Sequence, residues 1–139
     1  ESLLDALFKT ASMEASPKGA QGEDPNKWRY RSDAARVVIV FTDASFKETM
    51  SIQEAKGGSL QDVANVVMAN RIILSLFAPN FEGYDRLSQI DKSEWEVVEY
   101  VGLSPQEALK KFTSDPASFR TTLKQLAASV SRSAETVAL

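Results

Sequence analysis

The sequence of 139 residues contains no cysteine and no histidine. Disulfides and thiolate nucleophiles are therefore excluded, as are Ser-His-Asp triads and metal sites built on imidazole. A metal bound by this chain has to be a hard cation held by oxygen ligands. The absence of cysteine leaves the redox compartment open, because a chain of this length can fold without disulfides in either environment.

Clustered basic residues and long apolar runs are also scarce. Lys and Arg number 16 against 19 Asp and Glu, a formal net charge of −3, and Lys110 and Lys111 form the only adjacent basic pair. Binding to a phosphate backbone depends on clustered positive charge, so we expect no nucleic-acid partner. The longest apolar run, at 37–41, is far shorter than the ~20 residues that cross a bilayer, so we expect no membrane insertion.

The composition that remains is typical of a folded domain. Hydrophobic residues make up 43% of the chain and charged residues 25%, which is enough apolar material to build a core at this length. We therefore predict one domain over residues 1–139. Turn-forming residues without an apolar period predict a long surface loop at about 13–27.

Helix starts are marked by capping residues. Ser2 and Ser59 are each followed three residues later by an aspartate, which is the capping-box pattern. Ser104 and Asp115 each precede a proline, which favours the first position of a helix. Apolar side chains at helical spacing follow all four positions, and a shorter helical pattern covers 81–90.

Three strands alternate with these helices. The β-branched run 37–41 and the run 72–77 predict strands that are buried on both faces, as in a parallel sheet. The segment 96–101 predicts a third strand, and its alternating glutamates indicate a sheet edge. This order predicts an α/β fold of the Rossmann-like type: an open, mostly parallel sheet with helices on both faces.

The most reactive groups follow the first strand. In open α/β sheets ligands bind beyond the carboxyl ends of the strands. There Thr42, Asp43 and Ser45 supply a carboxylate and two hydroxyls, the hard oxygen donors that Mg²⁺ or Mn²⁺ prefers. The alternative is that Asp43 and Ser45 only cap the turn after the strand, a common role for these residue types.

The segment 36–44, Arg-Val-Val-Ile-Val-Phe-Thr-Asp-Ala, resembles the fourth strand and following loop of von Willebrand factor type A domains, the integrin I-like family. The helix before it is similar to the helix that precedes that strand in the family. The segments 59–77 and 84–100 are similar, in order and spacing, to the helices and strands that follow. The resemblance covers nearly the whole chain but only the C-terminal portion of the family domain.

The resemblance implies a metal-ion-dependent adhesion site. In the family, its ligands come from a D-x-S-x-S motif, a threonine in a second loop and the aspartate of a Thr-Asp pair. Asp43 matches that aspartate, and Thr42 and Ser45 lie beside it as ligand-binding candidates, but this sequence contains no D-x-S-x-S motif. We therefore predict a partial site that binds Mg²⁺ or Mn²⁺ only when another segment supplies the missing loops.

The same resemblance implies a protein-binding or adhesion module rather than a catalyst, while the sequence leaves its location open. Its protein partner is expected at the C-terminal edge of the sheet. In the family, the strand that corresponds to 37–41 pairs with a strand that has no counterpart here, so an apolar sheet edge is left open. We expect a missing N-terminal fragment or another chain, including a second copy, to cover it.

Two alternative functions stay open. The chain is a structural or assembly subunit if the A-type fold persists with a degenerate metal site. It is a small α/β phosphoacceptor domain if Asp43 acts as a nucleophile at a strand tip. The second alternative is the weaker one, because the sequence lacks the upstream acidic pair and the strand-end lysine of such domains.

Overall fold

The computed structural model describes residues 2–30 and 35–137, and it describes side chains up to residue 132. This part of the chain contains five α-helices and three strands. In chain order they are α1 (Leu3–Ala11), β1 (Arg36–Phe41), α2 (Leu60–Ala69), β2 (Ile72–Ala78), α3 (Glu82–Ser88), β3 (Ser93–Val97), α4 (Pro105–Ser114) and α5 (Pro116–Val137), with a 3₁₀ turn at Gln53–Ala55. The predicted α/β class is confirmed.

The strands form one parallel sheet in the order β1-β2-β3. Every residue of the central strand β2 is buried, as its apolar sequence predicts. β3 is an edge strand, as its glutamates predict. Because both pairings are parallel, all three carboxyl ends lie at the same edge of the sheet.

One face of the sheet carries the main hydrophobic core. Side chains alternate between the two faces along a strand, and Val38 and Val40 share this face with Leu74 and Leu76. Helices α1, α2 and α3 cover it, and we call it the α2 face. Its buried members are Leu4, Leu7, Ala11, Phe46, Met50, Leu60, Val63, Ala64, Val67, Ile72, Leu74, Leu76, Ala78, Tyr84, Leu87 and Ile90.

The opposite face, which we call the α5 face, carries a much smaller core. Phe77 of β2 packs there with Val98, Ala108 and Leu126. Helices α4 and α5 supply the last two of these residues. The helix α5 is 22 residues long, and no helix in the described part of the chain has the length and apolar character needed to span a bilayer.

The predicted capping box at Ser59 is confirmed. The Asp62 carboxylate accepts the main-chain N–H of Ser59 at 2.7 Å. At the start of α4, the Ser104 hydroxyl oxygen accepts the N–H of Glu107 at 3.2 Å. Asp115 precedes α5 and accepts main-chain N–H groups of its first turn. These three starts depend only on residues within three positions of one another.

The capping box predicted at Ser2 is wrong. The Ser2 side chain makes no capping hydrogen bond, although α1 begins at Leu3 as expected. The Asp5 carboxylate instead accepts the main-chain N–H groups of Ser51 and Ile52, at 2.8 and 3.3 Å. The Asp5 carboxylate, which the sequence pattern predicts as a cap of α1, is thus bonded to a distant loop and fixes that loop against α1.

Two strand predictions also need correction. β1 is not buried on both faces, since Ile39 and Phe41 keep 45% and 38% of their surface exposed. An apolar sequence indicates a strand but does not tell whether a neighbour covers it. β3 begins at Ser93 rather than at residue 96, because its register is set by pairing with β2 from Leu74 onwards.

Most residues at 13–27, where the sequence predicts a surface loop, are exposed, and the segment contains no helix or extended strand. Trp28 closes its far end. The Trp28 indole Nε1–H donates to the main-chain oxygen of Thr10 at 3.0 Å. The loop is thereby tied back to the end of α1.

Candidate functional site

The predicted site residues lie on the turn 42–45, at the carboxyl end of β1. The Thr42 main-chain N–H donates to the Phe77 oxygen at 3.0 Å, which extends the ladder to β2 by one residue. The Thr42 hydroxyl oxygen accepts the N–H of Ala44 at 3.3 Å. Thr42 is buried, Asp43 is half-buried and Ser45 is exposed. The structure therefore places all three at the edge of the sheet where the sequence predicts a ligand site.

Tyr84 of α3 holds this turn in place. The sequence predicts this residue only as part of the helical segment 81–90. The Tyr84 hydroxyl of α3 donates to the main-chain oxygen of Ala44. The Phe46 ring, just after the turn, packs edge-on against Tyr84 and Phe81, with ring centroids 5.1 and 5.2 Å apart. The hydroxyl of a buried tyrosine usually has a hydrogen-bond partner. A tyrosine on the inner face of the predicted helix was therefore the one sign in the sequence that this helix bonds to another segment.

Few side chains around Asp43 could serve as oxygen ligands of a metal ion. The described residues contain no group of three or more acidic side chains that could hold a metal ion. The Thr42 hydroxyl already accepts a main-chain hydrogen bond. Mg²⁺ requires several oxygen ligands in octahedral geometry, so this turn does not by itself fit Mg²⁺ or Mn²⁺. Binding of either ion at Asp43 stays a prediction that depends on ligands from elsewhere.

The outer edge of β1 presents unpaired main-chain groups. Main-chain N–H and C=O groups alternate sides from one strand residue to the next, and those of Thr42 face β2. The groups of Val37, Ile39 and Phe41 therefore point away from the sheet. Within residues 2–30 and 35–137, no strand pairs with β1 on that side. We call this row of groups the β1 edge.

Among the residues that the structure describes, the β1 edge has no charged side chain, proline or bulge that would protect it. Natural edges are commonly blunted by charged side chains, prolines or bulges. Between Arg36 and Thr42, β1 has only Val, Ile and Phe side chains, whereas the other edge strand, β3, exposes Glu94 and Glu96. The two edges of one sheet therefore differ, and β1 is the one suited to pairing.

Exposed apolar side chains adjoin the β1 edge on the α5 face. The Phe41 ring stacks on Phe77 with centroids 4.8 Å apart and touches Phe119 of α5 at 5.7 Å. Leu123 lies one turn further along α5 and is 39% exposed. Ile39 and Phe41 are 45% and 38% exposed, so apolar surface lies beside the open main-chain groups.

The amino end of β1 is anchored by Arg36. Its guanidinium lies over the Trp28 ring, 5.6 Å from the centroid, and its Nη1 donates to Asn70 Oδ1 at 3.4 Å. Burial lowers the pKa of Arg36 from its ordinary value, because a low-dielectric surrounding disfavours the charged form. β1 is thus bounded by a cationic residue at its amino end and by Asp43 beyond its carboxyl end.

A cavity of about 230 Å³ lies between α5 and the strands β2 and β3. Its polar wall is centred on Glu94, whose carboxylate accepts the hydroxyls of Ser75 and Ser129, each at 3.3 Å. These bonds join three elements, β2, β3 and α5. We interpret the group as a polar tie that holds α5 on the sheet.

Comparison with known proteins gives no match: no protein-family model, no curated protein and no solved structure matches this chain. The parallel α/β sheet is therefore established by the structure of the chain itself. The similarity to von Willebrand factor type A domains rests on the sequence motifs alone, and family membership stays a prediction.

Proposed function

We propose that this chain is a protein-binding module that takes an extended segment of a partner protein as an additional strand along the β1 edge. The observation that carries the proposal is the uncharged, unpaired edge of β1 with Ile39 and Phe41 exposed beside it. In strand addition, main-chain hydrogen bonds supply affinity and alternate side chains supply specificity.

The neighbouring side chains define the partner segment. On the α5 face, every second residue of an added strand would meet Ile39 and Phe41. Cross-strand pairs of aromatic and β-branched side chains are favourable. We therefore expect a partner segment that carries β-branched or aromatic residues at alternate positions and no charge on that face.

The turn 42–45 continues the same edge toward the top of the sheet. Tyr84 holds its main chain through Ala44, so the position of Asp43 is well defined. An added strand that runs past β1 would reach the Asp43 carboxylate. We propose that Asp43 contacts the partner there, with Thr42 and Ser45 beside it.

Peptide selection on the folded chain tests the proposal. Peptides from a random displayed library are selected for binding, and amide hydrogen exchange is then measured with and without the selected peptide. We expect exchange to slow at Val37, Ile39 and Phe41 and to stay unchanged along β3.

A matched pair of variants sharpens the result. Ile39→Lys places a charge on the edge, which disfavours strand pairing, and we expect peptide affinity to fall by roughly tenfold or more. Met68→Lys is the control, since Met68 lies on α2 and has the same exposed fraction, 45%. Peptide binding that survives Ile39→Lys without loss would contradict the proposal.

The variant Asp43→Ala separates an adhesion-type module from an assembly subunit with a degenerate metal site. Binding is measured with Mg²⁺ and with a chelator. A loss that occurs only with Mg²⁺ assigns the contact to a cation shared with the partner. An equal loss under both conditions assigns it to the carboxylate alone, and no loss under either condition favours the assembly subunit.

A further inference from the structure

We infer that the occupant of the β1 edge is a second copy of this chain, paired antiparallel through β1 about a two-fold axis at Ile39. The inference rests on the proposed function and names the partner. Two properties of β1 support it: the positions of its outward main-chain groups and its side chains on the α5 face.

The outward main-chain groups fit a copy of the same strand. An axis at Ile39 places Ile39 opposite Ile39 of the other copy and Val37 opposite Phe41 of the other copy. All of these residues direct their N–H and C=O groups outward, and directly opposed residues of this kind exchange both hydrogen bonds in an antiparallel ladder. The pairing therefore satisfies every outward group between Val37 and Phe41.

The side chains fit as well. A two-fold axis perpendicular to the sheet keeps the α5 face of both copies on the same side. Ile39 then meets Ile39, and Val37 meets Phe41, which are β-branched and aromatic cross-strand pairs of the favourable kind. The surface of Ile39 and Phe41 that is exposed in one copy, 45% and 38%, is covered by the other, and no charged side chain is placed on the shared stripe.

The charged residue at the start of β1 does not oppose this pairing. The Arg36 side chain is buried, with its guanidinium over the Trp28 ring and bonded to Asn70, so its charge stays within its own copy. The net charge of −3 per chain opposes association only weakly.

A single added strand pair makes a small interface. Interfaces below the standard size are typical of weak or transient association. We therefore expect a dissociation constant on the order of 10–100 µM, with monomer and dimer in exchange at concentrations used for biophysical work.

The lack of cysteine allows a direct test of the register. Ile39→Cys places two thiols at the axis, where opposed Cα atoms are about 5.5 Å apart, within the range that a disulfide spans. We expect this variant to form a covalent dimer on mild oxidation. Val37→Cys and Phe41→Cys should each form no covalent dimer alone and should form a mixed disulfide when combined, identified by intact mass. Met68→Cys is the control for random encounter.

Sedimentation velocity on the unmodified chain provides the second measurement. We expect concentration-dependent dimer formation that Ile39→Lys abolishes and Met68→Lys preserves. A monomer at all concentrations, together with no selective cross-link at Ile39→Cys, overturns the inference. So does a dimer that Ile39→Lys leaves intact, or self-cross-linking of Val37→Cys.

The two proposals fail in different ways. If selected peptides still slow exchange along β1 while the chain stays monomeric, the second copy is rejected and the protein-binding module stands. If neither peptides nor a second copy bind at β1, both are rejected. Circular dichroism of each variant confirms that a lost interaction is not a lost fold.

Discussion

The two faces of the sheet are built from the same three strands but are packed very differently. On the α2 face, three helices cover β2, and Leu74 and Leu76 are completely buried. On the α5 face, a small core around Phe77 and Leu126 is joined by α4 and α5. That face leaves exposed apolar side chains beside the β1 edge.

The difference indicates a division of roles. Burial of apolar surface is the main source of folding free energy, so stability is concentrated on the α2 face. The α5 face is held partly by hydrogen bonds between Glu94 and the hydroxyls of Ser75 and Ser129. Regions with few buried apolar contacts open at lower free-energy cost, and the open edge of β1 adjoins this less densely packed side.

Truncating one leucine on each face tests the division most directly. Leu74→Ala removes a completely buried side chain and should lower the free energy of unfolding by about 3–4 kcal/mol, because a cavity remains in a dense core. Leu126→Ala on the α5 face should cost about 2 kcal/mol, since the thin layer can collapse. Urea denaturation measures both, and an equal or larger loss at Leu126 would refute the comparison.

A smaller change tests how tightly the α2 face is packed near the turn. A Cβ added at Gly83 would lie 2.5 Å from the rings of both Phe46 and Phe81. Gly83→Ala should therefore destabilise the fold by about 1–3 kcal/mol, although alanine favours a helix. Phe46→Leu in the Gly83→Ala background should restore part of the loss. Unchanged thermal stability of Gly83→Ala would show that the site is looser than the structure indicates.

Asp5 on the α2 face and Asp115 at the start of α5 each accept hydrogen bonds from main-chain N–H groups, and the two contacts can be compared. Asp5 accepts the N–H groups of Ser51 and Ile52, so Asp5→Ala should lower the free energy of unfolding by about 1 kcal/mol. Ser2→Ala is the control, because the Ser2 side chain makes no capping bond. If Ser2→Ala lowered the free energy of unfolding as much as Asp5→Ala does, the capping pattern at Ser2 would contribute to stability after all.

The contact of Asp115 at the start of α5 is expected to give the smallest effect on stability. Hydrogen bonds from the Ser118 hydroxyl and main-chain N–H hold the pKa of Asp115 below its ordinary value. Its contribution to stability is therefore complete above its unfolded-state pKa and is lost as the pH falls through the lowered folded-state pKa. The protection factors of amides at the start of α5, which correct exchange rates for the pH dependence of intrinsic exchange, should therefore fall at acidic pH in the wild type.

The variant Asp115→Asn provides the control for this pH dependence. Asparagine also caps a helix but does not titrate, so the acid-induced fall in the protection factors should be absent. The same acid response in Asp115→Asn would assign it to another group.

Local signals predicted much of the fold correctly. Ser59 and Ser104 cap α2 and α4 as expected, because a cap involves residues only a few positions apart. The apolar runs located β1 and β2, and Asp43 follows β1 at the carboxyl ends of the strands as expected, whereas its role as a site residue stays a prediction.

Contacts between distant residues account for the errors. The same Ser-x-x-Asp pattern failed at Ser2 because Asp5 bonds to a loop far along the chain. The start of β3 was misplaced since its register depends on pairing with β2. Tyr84 was assigned only to a helix face, whereas its hydroxyl holds the turn at Ala44.

The sequence by itself determined which segments are helices and strands, that the strands are parallel, and that β1 carries no protective charge. The resemblance to A-type domains predicted an open edge beside β1, but only the tertiary structure decided that the odd-numbered residues of β1 face outward and that the α5 face stays thinly covered. Local patterns act over a few residues and along one strand. The position of a strand in a sheet, by contrast, follows from hydrogen bonds and packing between segments that the chain brings together only on folding.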